Sequence, residues 1–196
     1  MDRSRLEATI EAIDEANALD PNVLVIDGVE RPKEQAHAEM MTAWVLRLDP
    51  GADEVQLIAA RAHHLRRWTS PRADFPEGRP GYLRWRTALK ARHAEEVGAI
   101  LVDHGYGPDD VARVQRIIRK EALRTDPATQ THEDALCLTF LQTQFTELAD
   151  KLGDERTVEV VRKTLAKMTD QGWSEAMALA LSPSEISLVE QALAPR

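Results

Sequence analysis

Apolar positions recur every three to four residues along almost the whole chain, the spacing that lines side chains on one face of a helix. Leu6, Ile10, Ile13 and Ala16 make such a stripe within residues 3–18, which Asp20-Pro21 closes. A second helix is predicted from Pro32 to about Leu48, with His37, Met40, Met41, Trp44, Val45 and Leu48 on one face. Val55, Ile58, Ala59, Ala62 and Leu65 predict a third from about Asp53 to Trp68. After a proline-rich loop, Leu83, Leu89, His93, Val97, Ile100 and Leu101 give a helix from Tyr82 to about Asp103, closed by the glycines of HGYGP. Pro108 and Asp109-Asp110 open the next, which runs to about Leu123. A long helix over about 130–151 follows, then helices at 154–169 and 174–181. Ser182-Pro183-Ser184-Glu185 starts a last one, to about Leu193. Only NVLVIDG, residues 22–28, reads as a strand, and without a second run of its kind it is expected to be an extended connection. The pattern predicts an all-α, single-domain bundle of about nine helices over residues 1–196.

Composition changes this picture little. With 43% hydrophobic residues the chain buries a full core, and no apolar run approaches the ~20 residues that span a bilayer. The N-terminus does not resemble a secretion signal, and the single cysteine, Cys137, fits a reducing compartment, so a cytoplasmic protein without membrane contact is expected.

Charge changes it more. The formal net charge is -8, yet residues 61–92 carry eight arginines and Lys90 against Asp74 and Glu77 alone. Three prolines and two glycines between Ser70 and Gly81 make part of this basic stretch a loop. Arginine forks suit phosphate or carboxylate, so Arg67, Arg72, Arg79 and Arg86 are candidate anion ligands, with Trp68, Tyr82 and Trp85 as an aromatic wall. Candidate metal ligands are His37, the adjacent pair His63 and His64, His93 and Asp134, each on a different predicted helix. Helical bundles build metal sites from side chains projecting inward off separate helices. Neighbouring side chains diverge by about 100° on a helix, so His63 and His64 reach one site together only at a helix end or distortion.

This order of residues resembles the HD-domain superfamily of metal-dependent phosphohydrolases over residues 32–140, with His37, His63, His93 and Asp134 on its motif positions. The resemblance implies an HD-like core over about 32–150 with the helices of 154–196 packed on it. Two positions depart: His64 stands where the paired aspartate belongs, and Lys120 about where a fourth histidine belongs. Imidazole is a poor magnesium ligand, and a lysine cation disfavours a second ion, so a single-metal site or a metal-free remnant is expected.

The segments HHLRRW, GRPGYLRWRTALKARHA, RKEAL, EDALCLTFL and KTLAKM are similar to the domain of unknown function family 4202 along nearly the whole chain. That resemblance shifts the weight from His63 to His64. It sets His93, Lys120, Glu133 and Asp134 beside it, with His64, His93, Lys120 and Glu133 as the catalytic candidates, and it brings no activity. The expected function is hydrolysis of a small phosphate-containing, nucleotide-like anion, using a divalent ion (Mn, Fe or Mg). The alternatives are a non-haem iron oxygenase and a non-catalytic module holding an anion or an RNA end. His64, His93 and Asp134 are expected in one cavity.

Overall fold

The computed structural model describes residues 4–26 and 28–194. The chain divides into two compact units, residues 1–132 and 133–196.

The first unit begins with α1 (Arg5–Asn17), whose Ser4 N-cap accepts from Glu7 N–H while the Glu7 carboxylate accepts from Ser4 N–H. The predicted start at Arg3 lies outside the described residues. The extended connection is corrected to a hairpin: β1 (Val23–Ile26) pairs antiparallel with β2 (Val29–Pro32), Val23 opposite Pro32 and Ile26 opposite Val29. Gly28, at φ +79, lies between the strands, and Asp27 lies outside the described residues. The second strand, VERP, escaped the pattern because half of it is charged and it ends in proline. Backbone hydrogen bonds, not apolar alternation, make it a strand. Val23, Val25 and Val29 are exposed.

Next come α2 (Lys33–Leu48) and α3 (Glu54–Arg61), the latter started by the Asp53–Gln56 capping box. Two single 3₁₀ turns, Arg67–Thr69 and Arg72–Asp74, lead to α4 (Gly78–Asp103) and α5 (Pro108–Arg119). The predicted helix to Trp68 is thus corrected to end at Arg61, for a reason found in the site itself. Helix α4 begins four residues before the predicted Tyr82. First-turn N–H groups have no intrahelical partner, so Pro80 is tolerated there. Ile13 and Ala16 of α1, Val55, Ile58 and Ala59 of α3, Ala94, Val97 and Leu101 of α4, and Val114, Ile117 and Ile118 of α5 form one core with Ala62 and Leu65.

Helix α6 (Pro127–Thr143) contains the division between the units. The second unit continues with α7 (Phe145–Leu152), α8 (Asp154–Leu165), α9 (Asp170–Met177) and α10 (Pro183–Leu193). The single helix predicted over 130–151 breaks at Gln144 (φ -127, ψ -2). Ahead of the break, the Thr139 and Thr143 hydroxyls donate back to Ala135 O and Thr139 O, an alternative to the helical ladder. Helix α10 opens at Ser182 with the predicted capping box. The fold is all-α apart from the small hairpin, and no helix among the described residues is long and apolar enough to cross a membrane.

Candidate functional site

The turn after α3 positions the chemistry. Past Arg61 the backbone tightens, with His63 N–H donating to Ala60 O (3.3 Å) and Leu65 N–H to Ala62 O (3.1 Å). Off the helix, adjacent residues no longer diverge by 100°, and the His63 and His64 rings lie 4.1 Å apart. Arg66 then adopts a left-handed backbone (φ 49, ψ 37). Its N–H donates to Oδ1 of the fully buried Asn17 at the end of α1 (3.0 Å). Such a residue costs about 1–2 kcal/mol against an ordinary conformation, repaid only where packing holds it. Beyond this corner Arg67 reaches back to His64.

Facing the turn is the start of α2. Glu34 and His37 are three residues apart, hence neighbours on the helix surface. Glu34 Oε2 lies 3.3 Å from His37 Nδ1 and 3.0 Å from His64 Nδ1. Arg67 Nη1 donates to His64 Nε2 (3.0 Å), and Arg67 Nε is 3.8 Å from Glu34 Oε1. A guanidinium only donates, so His64 Nε2 accepts and its proton sits on Nδ1, directed at Glu34. The Glu34 side chain is 7% exposed, His64 16% and Arg67 32%. The carboxylate is thus buried under partners that reach the surface.

The donor set fits a metal ion. Ligand atoms of Glu34, His37 and His64 all lie within 4.8 Å of one another. Two ligands ~2.1 Å from one ion and 90–110° apart are separated by about 3.0–3.4 Å, and the two contacts to Glu34 Oε2 match that edge. Burial, and after it the neighbouring Arg67, His93, His37 and Lys120, push the pKa of His64 well below the usual value, which favours its neutral form. Metal ligation needs that form.

Two further imidazoles adjoin. His93 Nδ1–H donates to Leu65 O (2.8 Å), its ring is 6.0 Å from that of His64, and its buried Nε2 has no hydrogen-bond partner. Burial lowers its pKa to about 4, although the Leu65 bond acts in the opposite direction. His63 Nδ1 is 2.9 Å from His132 Nε2, and burial, then the neighbouring His64, depress its pKa well below normal.

Beside this cluster runs an aromatic and cationic wall. The Arg67 guanidinium lies 4.9 Å from the Trp85 ring centre, and Trp85 Nε1–H donates to Ser70 O (2.9 Å). The Tyr82 ring is 6.0 Å from Trp85 with Arg86 5.8 Å over it. Burial, partly offset by Glu34, lowers the pKa of Arg67, and the charge of Arg86 lowers it further. The wall stands on Gly81, where an added Cβ would lie 1.7 Å from Pro76 O.

The model of one family, Domain of unknown function (DUF4202), matches residues 7–189. The chain belongs to that family. No curated protein and no solved structure matches it. The family match extends over both units and includes every site residue named above.

His37, His63, His64 and His93, chosen from the sequence, all fall in one cluster within the first unit, together with Arg67. Lys120 is the left-handed cap of α5 (φ 60, ψ 40), and its charge contributes to depressing His63 and His64. Arg72 donates to Phe75 O and Pro76 O (both 2.8 Å), stapling its own loop. Arg79 is exposed in the first turn of α4, and Trp68 is half-buried in a 3₁₀ turn. Glu133 and Asp134 belong to the second unit. There Glu133 is buried 3.4 Å from Lys167 Nζ, and Asp134 accepts from Thr169 N–H and Oγ1, supporting the start of α9.

Glu34 and His132 were missed. Glu34-Gln35-Ala36-His37 is an acid and a histidine three apart, a pair that recurs in bundle metal sites and was the available signal. His132 has no such signature, since its partner His63 is 69 residues away.

Proposed function

We propose that this protein hydrolyses a small phosphate-containing, nucleotide-like anion at one divalent ion held by Glu34, His37 and His64. The observation carrying this reading is the buried Glu34 carboxylate at 3.0 and 3.3 Å from two imidazole nitrogens, directly beside Arg67. A bound divalent ion supplies Lewis-acid polarisation and makes water acidic enough to attack near neutral pH. Arg67 and Arg86 hold the phosphate, and Trp85 and Tyr82 flank the organic part. His93, neutral and with a buried, unpartnered Nε2, offers an acceptor for a water proton. The succession His37, His63-His64, His93 supports kinship with the HD-domain phosphohydrolases, with His64 in place of the paired aspartate.

The test is metal analysis of untagged protein, followed by phosphate release from nucleoside monophosphates and p-nitrophenyl phosphate with Mn²⁺, Fe²⁺ or Mg²⁺. Metal-dependent release is expected, lowered at least about 10–100-fold by Glu34→Gln or His37→Asn. Absence of release with every ion, or full activity in Glu34→Gln, overturns the reading. A second reading is a non-haem iron oxygenase, favoured by the donor set itself: two imidazoles and one carboxylate suit Fe²⁺ with open positions. Iron-dependent oxygen uptake without phosphatase activity selects it.

A further inference from the structure

Arg67 occupies both halves of the site. One guanidinium nitrogen donates to His64 Nε2, another lies 3.8 Å from Glu34, and the plane extends over Trp85 towards the exposed wall. This sets a proton condition. With Arg67 donating to Nε2, His64 carries its proton on Nδ1, the atom that faces Glu34. An ion on Nδ1 takes that lone pair, and the displaced proton moves to Nε2, since a neutral imidazole keeps one N–H. Nε2–H and the Arg67 N–H groups are then donor against donor at 3.0 Å, which neither side tolerates. Glu34 at the same time turns its charge to the ion and ceases to hold Arg67.

We infer that metal binding at Glu34 and His64 expels Arg67 from His64 by reversing the His64 tautomer, and that the released guanidinium becomes the ligand of an incoming phosphate. Metal and phosphate therefore bind with positive coupling, each tightening the other by the same factor. Without metal, Arg67 stays on His64 and Glu34, and the phosphate meets only Arg86 and the exposed arginines of the loop. The inference rests on the proposed metal centre and adds an order of events to it.

Mn²⁺ titrations of the full chain, with and without inorganic phosphate, and phosphate titrations with and without Mn²⁺, measure the coupling. Glu34→Gln serves as the control for complexes formed in solution. About tenfold mutual tightening is expected. Arg67→Met should bind Mn²⁺ at least as tightly as the parent, since a competing cation is gone, with coupling below about twofold. Arg67→Lys, which keeps charge without the planar fork, should also lose most of it. Nitrogen-15 histidine NMR gives a second readout: His64 protonated on Nδ1 in the metal-free protein and on Nε2 with Zn²⁺. Mn²⁺ bound without coupling, coupling that survives in Arg67→Met, or a metal-free His64 protonated on Nε2 each overturns the inference alone. A parent that binds no Mn²⁺ overturns the metal reading as well.

Discussion

His93 titrates near 6.5 when exposed and near 4 in the folded protein, because burial disfavours its charged form. Between these values the unfolded chain binds more protons, so stability is complete above about pH 6.5 and falls as pH drops towards 4. The loss from this residue approaches about 3 kcal/mol at 1.36 kcal/mol per pKa unit, and His63 and His64 act in the same direction. Urea midpoints between pH 7.5 and 4.5 should record it, with a shallower slope in His93→Gln. A flat profile in the parent contradicts it. At this scale the sequence was most legible where a titratable residue interrupts an apolar stripe, as His37 and His93 do. Glu34 gave no such contrast, because an acid in the first turn of a helix is ordinary dipole chemistry. Its burial comes from the α3 turn folding against it, which no local pattern encodes.

Elements were legible in kind and less so in their ends. Helix interiors follow from periodicity, but three ends depend on distant or special contacts. Asn17 holds the corner after α3, the backbone leaves the helix at Gln144 after α6, and the close approach at Gly81 lets the loop fold onto the start of α4. Gly81→Ala should force loop and helix apart, at about 1–3 kcal/mol as an overpacked site. Near-ultraviolet circular dichroism of Trp85 should change while far-ultraviolet helicity stays; an unaltered Trp85 environment counts against the packing described. The turn between α5 and α6 offers the opposite test. Ala122 is exposed at φ 58, where a Cβ is strained, so Ala122→Gly should raise unfolding stability by about 0.5–1 kcal/mol. A lower denaturation midpoint would show that the loop gains entropy faster than it loses strain.

For the whole molecule, a chain of net charge -8 concentrates eight arginines and one lysine in residues 61–92, the stretch that bears Arg67 and Arg86. Phosphate affinity should fall steadily between 50 mM and 500 mM salt, as the ~14 to ~4 Å decline in screening length requires; titration calorimetry across that range checks this, and a salt-independent affinity would leave only short-range contacts. The all-α class followed from the sequence because the helical period dominates it. The place where the two compact units divide did not, since it falls inside α6, ahead of the expected core end at about 150, and no proline, glycine or charge run announces it. The hairpin was hidden because its second strand carries Glu30 and Arg31 and ends in proline, and it has a practical consequence. Three valines stand in water on a short two-stranded element, which makes it prone to stick to another molecule at high concentration. Val25→Lys should therefore raise the concentration at which light scattering first appears while leaving the melting temperature within about 2 °C of the parent, so the colloidal behaviour of this protein is adjustable apart from its fold.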